Sequence, residues 1–246
     1  MWRVIAVALL VAGCHASLAD GASTDARGAR DGTTTSPDAP TTTTDAAPAC
    51  FNGRVVYLNF DGVTLAQGAS DATANRAVWM GVASATIPQY KSAAADRLTQ
   101  ITDVTAEIRS GLSALPVTVV TARPVTAPYV MIVFGGTPAL VNVPYIDAVN
   151  HLDCGDAVKS DVGIVFDNVS PATTQKAADY AIGSIAYGLG LTGTHGTGDC
   201  LCGWNNSCQQ GAGPCTLSTS ITADVVCAGQ TNPQRELATF SQAFCQ

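Results

Sequence analysis

The side chains best suited to chemistry are few, and they lie around two histidines. The chain of 246 residues has three histidines in all. Asp153 follows His151 after one residue, and Asp199 follows His195 after three. Imidazole and carboxylate groups together bind divalent transition metals, so these four side chains form one conceivable metal site. The alternative, which the glycine-rich sequence around His195 favours, is that all four are polar side chains of surface loops.

Other catalytic templates are missing from the sequence. Ser184 lies in Ala-Ile-Gly-Ser-Ile, which lacks the first and last glycines of the G-x-S-x-G nucleophile elbow. Neither a G-x-x-x-x-G-K-[ST] loop nor a G-x-G-x-x-G motif after a predicted strand is present. Aspartates near predicted strand ends match no known calcium loop, so we expect them to be solvated. They are Asp61, Asp153, Asp156, Asp161 and Asp167.

Strands and helices that would position these residues alternate along the chain. Apolar, β-rich runs predict strands at 54–60, 117–121, 129–134 and 161–166. Helical spacing of apolar residues predicts helices at about 94–115, 171–190 and 233–244, the second with Ser170 as its N-cap. The predicted fold class is therefore α/β (α+β), a twisted mixed sheet with two long helices and a final helix.

The second long helix and the turn after it resemble the zinc-binding segment of metzincins, H-E-x-x-H-x-x-G-x-x-H. The segment begins at Gly183, and Gly190-Leu191 aligns with the family's helix-ending glycine. The first two histidine positions then fall on Gly183 and Tyr187, the glutamate on Ser184 and the third histidine on Gly193. The order of elements is also similar to that of matrixin-type metzincin domains, in which a strand, a helix and several strands precede the active-site helix.

The resemblance implies a zinc metallopeptidase fold, but the residues that carry its chemistry are absent. Gly183 and Gly193 have no side chain to bind zinc, and Ser184 cannot replace a glutamate as general base. Tyr187 offers at most one phenol oxygen. No methionine follows the helix in the sequence, so the Met-turn residue of the family is also missing.

The first residues are typical of an exported protein. Arg3 precedes an apolar run at 4–12 that is too short to span a bilayer. The run ends in Leu-Val-Ala-Gly-Cys14, which looks like a bacterial lipobox and implies cleavage before Cys14 and lipid attachment to its sulfur. We therefore expect a signal peptide at 1–13, a disordered Ala/Thr/Asp/Pro-rich stalk at 14–49 and one folded domain at 50–246.

Eight cysteines besides Cys14 suggest four disulfides in an oxidising compartment, and the sequence does not decide how they pair. A structural zinc site at Cys200, Cys202, Cys208 and Cys215 is the weaker alternative, because the C-x-C-x5-C-x6-C spacing is unusual for zinc. Six of the eight lie after residue 199, which predicts a loop-rich, covalently stapled C-terminal region. The eight are Cys50, Cys154, Cys200, Cys202, Cys208, Cys215, Cys227 and Cys245.

Three functions remain open at this stage. The first is a lipid-anchored pseudopeptidase of the bacterial cell envelope that needs no cofactor and binds a peptide or protein in the former cleft. The second is an active zinc-dependent peptidase with relocated ligands from His151 and His195. The third is a structural envelope lipoprotein. The formal net charge of -7 with only 12 Lys and Arg residues argues against nucleic-acid binding.

Overall fold

A five-stranded sheet forms the centre of the fold. The computed structural model describes residues 53–144, 146–169, 172–205 and 208–245. The strands of this sheet are β1 (Arg54–Asn59), β5 (Val117–Val120), β6 (Tyr129–Phe134), β7 (Ala148–Val149) and β8 (Val162–Val165). Their order is β5-β1-β6-β8-β7, in which all neighbours are parallel except β7, which pairs antiparallel with β8 at one edge.

The central strand β6 is buried along its whole length because both faces of the sheet are covered. Val130 and Ile132 face the helices, whereas Met131 and Val133 face a second, three-stranded sheet. That smaller sheet has the order β3-β2-β4 and consists of β2 (Val63–Gln67), β3 (Arg76–Ala77) and β4 (Ser84–Ile87). The alternation of side chains along β6 therefore supplies two separate apolar cores.

Two long helices cover the other face. The helices are α1 (Arg97–Gly111), α2 (Pro138–Val141), α3 (Thr174–Gly188) and α4 (Glu236–Phe244). Helix α1 packs on α3 so closely at Gly111 that an added Cβ atom would lie 2.6 Å from the Ile182 Cδ1 atom. In the described part of the chain, no helix combines the length and apolarity needed to cross a membrane.

The predicted mixed α and β architecture is confirmed, with three local corrections. The N-cap of α3 is Thr173, whose side chain accepts a hydrogen bond from the Lys176 N–H, whereas the predicted cap Ser170 lies outside the described residues. The apolar spacing along the predicted helix at 94–115 places Leu98 on its buried stripe, but Leu98 is 74% exposed and Val104 is buried instead. The strands of the smaller sheet and β7 were not predicted, because they are only partly apolar and partly buried.

The predicted break after α3 occurs at Gly190. The Leu191 N–H donates to the Ala186 carbonyl and the Gly190 N–H donates to the Tyr187 carbonyl, which is a Schellman motif. Gly190 has φ +84, a conformation that side chains disfavour. The chain therefore leaves the helix axis at this glycine, as the sequence predicts.

Disulfides hold the C-terminal region together. Three are described, Cys154–Cys227, Cys200–Cys215 and Cys202–Cys208, and Cys245 is also disulfide-bonded. The alternative of a zinc site at four of these cysteines is therefore wrong, since their sulfurs are already paired. The expected signal peptide, lipidation site Cys14, stalk and Cys50 lie outside the described residues.

Candidate functional site

A groove lies between the sheet edge at β7, helix α3 and the loop closed by the Cys202–Cys208 disulfide. Its volume is about 720 Å³. Residues 146–150 form one wall, Lys176, Tyr180 and Tyr187 of α3 form the floor, and residues 203–205 and 208–210 form the other wall. The groove therefore adjoins the helix on which the zinc-ligand positions of the metzincin motif fall.

Trp204 occupies the space beside the first ligand position. A Cβ atom at Gly183 would lie 2.4 Å from the Trp204 Nε1 atom and 2.5 Å from the Cys200 carbonyl oxygen. Real Cβ atoms do not approach other atoms so closely. Gly183 is therefore a packing requirement of this fold, because only a residue without a side chain lets the indole and the Cys200 backbone lie against α3.

Tyr187, at the second ligand position, packs on the same indole. Its ring centroid is 5.1 Å from that of Trp204, with 32° between the ring planes. Its hydroxyl donates a hydrogen bond of 3.1 Å to Asn205 Oδ1. Burial raises the pKa of the Tyr187 phenol, so the group is a neutral, aromatic part of the groove floor.

Ser184, at the general-base position, faces the sheet. It is fully buried, and a Cβ atom at Gly163 of β8 would lie 2.1 Å from Ser184 Oγ. The hydroxyl has no hydrogen-bond partner among the described residues. Ser184 is also absent from the groove lining. Its position therefore gives it no contact with a ligand in the groove.

Gly193 and the residues after it belong to the folded C-terminal region. The Gly193 carbonyl accepts a hydrogen bond from the Asp224 N–H. His195 has a 64% exposed side chain, and its Nε2 atom lies 2.8 Å from Asp224 Oδ1. Neither Gly193 nor His195 lines the groove. Gly193, at the third ligand position, therefore serves as a backbone contact between two loops.

Asp199 is a buried structural acceptor. Its Oδ1 atom accepts from the Thr194 hydroxyl at 3.0 Å and from the Leu201 N–H at 2.9 Å, and its Oδ2 atom accepts from the Ser218 hydroxyl at 2.9 Å. Both carboxylate oxygens are therefore engaged in holding loops together. Burial and the neighbouring Asp199 carboxylate raise the pKa of Glu236 to about 8.

The four candidate metal ligands do not form a site in the described structure. His151 is exposed, whereas Asp153 is buried and its Oδ2 atom accepts a 2.6 Å hydrogen bond from the Val158 N–H. Within the described ranges, no cluster of three or more His, Cys, Asp or Glu side chains could hold a metal ion. The sequence-based expectation that Asp153 and Asp199 are surface-loop residues is also wrong, since both are buried.

Three of the five strand-end aspartates are buried, contrary to the expectation that they are solvated. Asp153, Asp156 and Asp161 are only 6%, 5% and 2% exposed. Asp156 forms a bidentate pair with Arg54, with distances of 2.7 and 2.6 Å. Burial, with negative charge from Asp153 and Asp156, raises the pKa of Asp161 to about 8. Lys159 Nζ also lies 2.6 Å from Asp156 Oδ2, so the cluster is part of the core and is held by two cations and by one carboxyl that stays protonated near neutral pH.

The charged groups of the groove differ in how fully they are paired. Lys176 Nζ lies 3.4 Å from Asp179 Oδ2 and donates to the Gly211 carbonyl at 2.6 Å. Asp147, on the opposite wall, forms no ion pair with any described residue, and its Oδ1 atom is buried without a hydrogen-bond partner. Burial, together with the nearby Asp147 carboxylate, raises the pKa of the Tyr180 phenol.

Sequence reasoning missed Trp204, Asp147 and Tyr180, all of which line the groove. A signal was present for Trp204, because a large aromatic residue in a short polar segment between two cysteines needs a packing partner. Tyr180 lies on the predicted helix, outside its apolar stripe. Asp147 precedes an unpredicted strand, so no pattern could place it in the groove.

Two comparisons with known proteins found no relative of this chain. No protein-family model matches the chain, and a search of curated proteins finds no significant similarity to it.

Proposed function

We propose that this chain is a pseudopeptidase: an exported, lipid-anchored protein of the bacterial cell envelope, with a metallopeptidase-like domain that binds an extended peptide segment without cleaving it. The observation that carries the proposal is the groove of about 720 Å³ at α3, in which Trp204 fills the space beside Gly183. Trp204 and the Cys200 backbone fill the space into which a side chain at residue 183 would extend, and the groove beside them stays open to a ligand.

The sheet edge beside the groove supports an extended peptide as the ligand. The Phe166 N–H donates to the Asp147 carbonyl, and Ala148 pairs with Val165 in the next register position. Since antiparallel pairs alternate between hydrogen-bonded and non-hydrogen-bonded, the N–H and carbonyl of Ala148 point away from β8. No described strand pairs with that side of β7. A peptide strand added there would satisfy these groups.

The lack of cleavage follows from the side chains at the motif positions. Peptide hydrolysis by a zinc enzyme requires a metal-bound water and a general base beside it. Ser184 faces the sheet, and the Tyr187 hydroxyl donates a hydrogen bond to Asn205 Oδ1. Neither can activate water in the groove.

The proposal is tested by retention of peptides on the full-length, oxidised chain. A library of hexapeptides with blocked termini is passed over the immobilised protein, with and without a chelator, and bound peptides are identified by mass spectrometry. We expect intact peptides to be retained equally in both conditions. Cleaved products that disappear with the chelator would contradict the proposal, as would the absence of any retained peptide.

A variant at the sheet edge tests where the peptide binds. Ala148→Pro removes the N–H that points away from β8, so retention should fall about tenfold, the loss expected for roughly 1.4 kcal/mol of backbone hydrogen bonding. The matched control changes the peptide instead of the protein. Each retained peptide is made in two forms, which are N-methylated at one or the other set of alternate amides. Because successive amides of a strand point to opposite sides, only one of the two forms should lose binding. Equal loss for both sets would contradict addition to a strand edge.

A further inference from the structure

We propose that the groove recognises a lysine or arginine side chain of the bound peptide, with the Asp147 carboxylate as its ionic partner. This inference rests on the proposed function and names the chemistry of its ligand. Asp147 is half-buried on the groove wall directly before β7, so it lies beside the backbone positions to which a peptide would pair.

The charge balance of the groove leaves Asp147 as the carboxylate without a cation. The Lys176 ammonium is offset by Asp179, which is fully buried and also accepts hydrogen bonds from the Gln175 side chain and the Cys215 N–H. No arginine, lysine or histidine of the described residues lies within ion-pair distance of Asp147. A cationic ligand side chain would supply the missing partner, and a carboxylate in partly dry surroundings binds a cation more strongly than one in water.

Aromatic rings add a second, independent preference for a cation. Tyr180, Tyr187 and Trp204 all line the groove, and the last two are packed together. The faces of tyrosine and tryptophan rings attract lysine and arginine side chains within about 6 Å of the ring centroid. The long apolar stems of those side chains also pack well against rings. An acidic peptide side chain would gain neither interaction and would be repelled by Asp147.

The overall charge of the protein agrees with a basic ligand. The formal net charge is -7, with 19 Asp and Glu residues against 12 Lys and Arg residues. Such a surplus attracts cationic partners over distances up to the Debye length, about 8 Å at physiological salt. Long-range attraction and the local carboxylate therefore favour the same class of ligand.

The test measures which peptides the full-length, oxidised chain retains. Asp147 of the groove and the basic residue of the peptide are changed separately. The probes are hexapeptides with blocked termini. At each of the six positions in turn, the residue is set to lysine, arginine, norleucine, citrulline or glutamate. At one position we expect lysine and arginine to be retained about tenfold better than norleucine and citrulline, their neutral analogues of similar shape. Asp147→Asn should remove that preference, so that lysine and arginine are retained no better than norleucine and citrulline.

Asp103→Asn is the matched control, because it removes the same charge from an exposed position of α1 that does not line the groove. It should keep the full preference. The comparison of lysine with norleucine in the unaltered protein tests the inference even where a variant folds poorly. Retention of peptides with no basic preference would overturn this inference and leave the proposed function standing. A preference that survives in Asp147→Asn would overturn the assignment of Asp147, and no retained peptide would overturn both proposals.

Discussion

At the scale of single residues, Gly183 and Trp204 explain why α3 has no room for a side chain at residue 183. The Cβ position of Gly183 lies against both the indole nitrogen and the backbone oxygen of Cys200. A backbone oxygen held between two disulfides cannot move aside easily. A side chain at residue 183 must therefore displace the loop that forms one groove wall.

This packing predicts that Gly183→Ala destabilises the protein. We expect a loss of about 1–3 kcal/mol in the free energy of unfolding, the range for overpacking a filled site. Denaturant unfolding with the disulfides intact measures it. Gly213→Ala is the control, because an added Cβ at Gly213 meets nothing within 4 Å, and it should be neutral or slightly stabilising. Equal stability of both variants would show that Trp204 does not fill the site.

The buried acids predict an unusual pH dependence of stability. The pKa of Asp161 is raised from its ordinary value near 3.8 to about 8, first by burial and then by Asp153 and Asp156, while Arg54 acts in the opposite direction. The pKa of Glu236 is raised from near 4.5 to about 8 as well. Between the ordinary and the raised pKa values, both carboxyl groups are protonated in the folded chain but have lost their protons in the unfolded chain. The free energy of unfolding must then fall as the pH rises from about 5 to 8, by at most about 1.4 kcal/mol per pH unit for each group.

Asp161→Asn should flatten this slope by about half, because Glu236 continues to titrate. The measurement is denaturant unfolding at several pH values between 5 and 8, with Asp103→Asn as an exposed control that keeps the full slope. Stability that increases with pH over this window in the unaltered protein would contradict the raised pKa values of both acids.

The sequence could supply part of the candidate site at this scale. The replaced zinc-ligand positions Gly183, Tyr187 and Gly193 are visible directly, since they depend only on residue type. Their surroundings are not visible. The approach of Trp204 to Gly183 joins residues 21 positions apart through a loop whose path is fixed by disulfides, and no periodic pattern encodes such a path.

At the scale of elements, disulfides of very different loop length stabilise the C-terminal region. Cys154–Cys227 joins the loop between β7 and β8 to the chain 73 residues later, whereas Cys202–Cys208 closes a loop of 6 residues that carries Trp204. The conformational entropy that a crosslink removes from the unfolded chain grows with the length of the closed loop. The two bonds should therefore differ in their effect on stability.

Replacing both members of a pair with alanine tests this difference. We expect a loss of about 4 kcal/mol in the free energy of unfolding without Cys154–Cys227 and about 2 kcal/mol without Cys202–Cys208. Peptide retention should show the opposite order, because Cys208 lines the groove beside Trp204, whereas neither Cys154 nor Cys227 lines it. A larger loss of stability from the Cys202–Cys208 pair would contradict the account.

Elements with a continuous apolar run or a clear apolar stripe could be predicted from the sequence, and elements without such a pattern could not. The strands β1, β5, β6 and β8 and the helices α1, α3 and α4 lie within the predicted ranges, because burial on two faces or a helical stripe leaves a strong pattern. Strand β7 has two residues, both half-buried, and so carries no alternation to detect. The edge on which the proposed peptide binding depends is therefore visible only in the structure.

At the scale of the whole molecule, the proposed function combines a membrane anchor that the sequence predicts with a groove that the structure contains. The predicted lipid anchor at Cys14 and the stalk at 14–49 depend on the sequence alone, and they imply a domain held at a membrane surface. The groove depends on packing between β7, α3 and the disulfide loop. The proposed function, which is to hold basic peptide segments close to a membrane, combines the two.

The zinc content of the purified, full-length, oxidised chain distinguishes a pseudopeptidase from an active zinc enzyme. The protein is equilibrated with zinc, passed through a desalting column and analysed by elemental mass spectrometry. The account predicts no bound zinc, because Trp204 packs beside Gly183 and no described cluster of His, Cys, Asp or Glu could hold a metal. About one tightly held zinc per chain would contradict it and would indicate an active metallopeptidase with ligands from elsewhere in the chain.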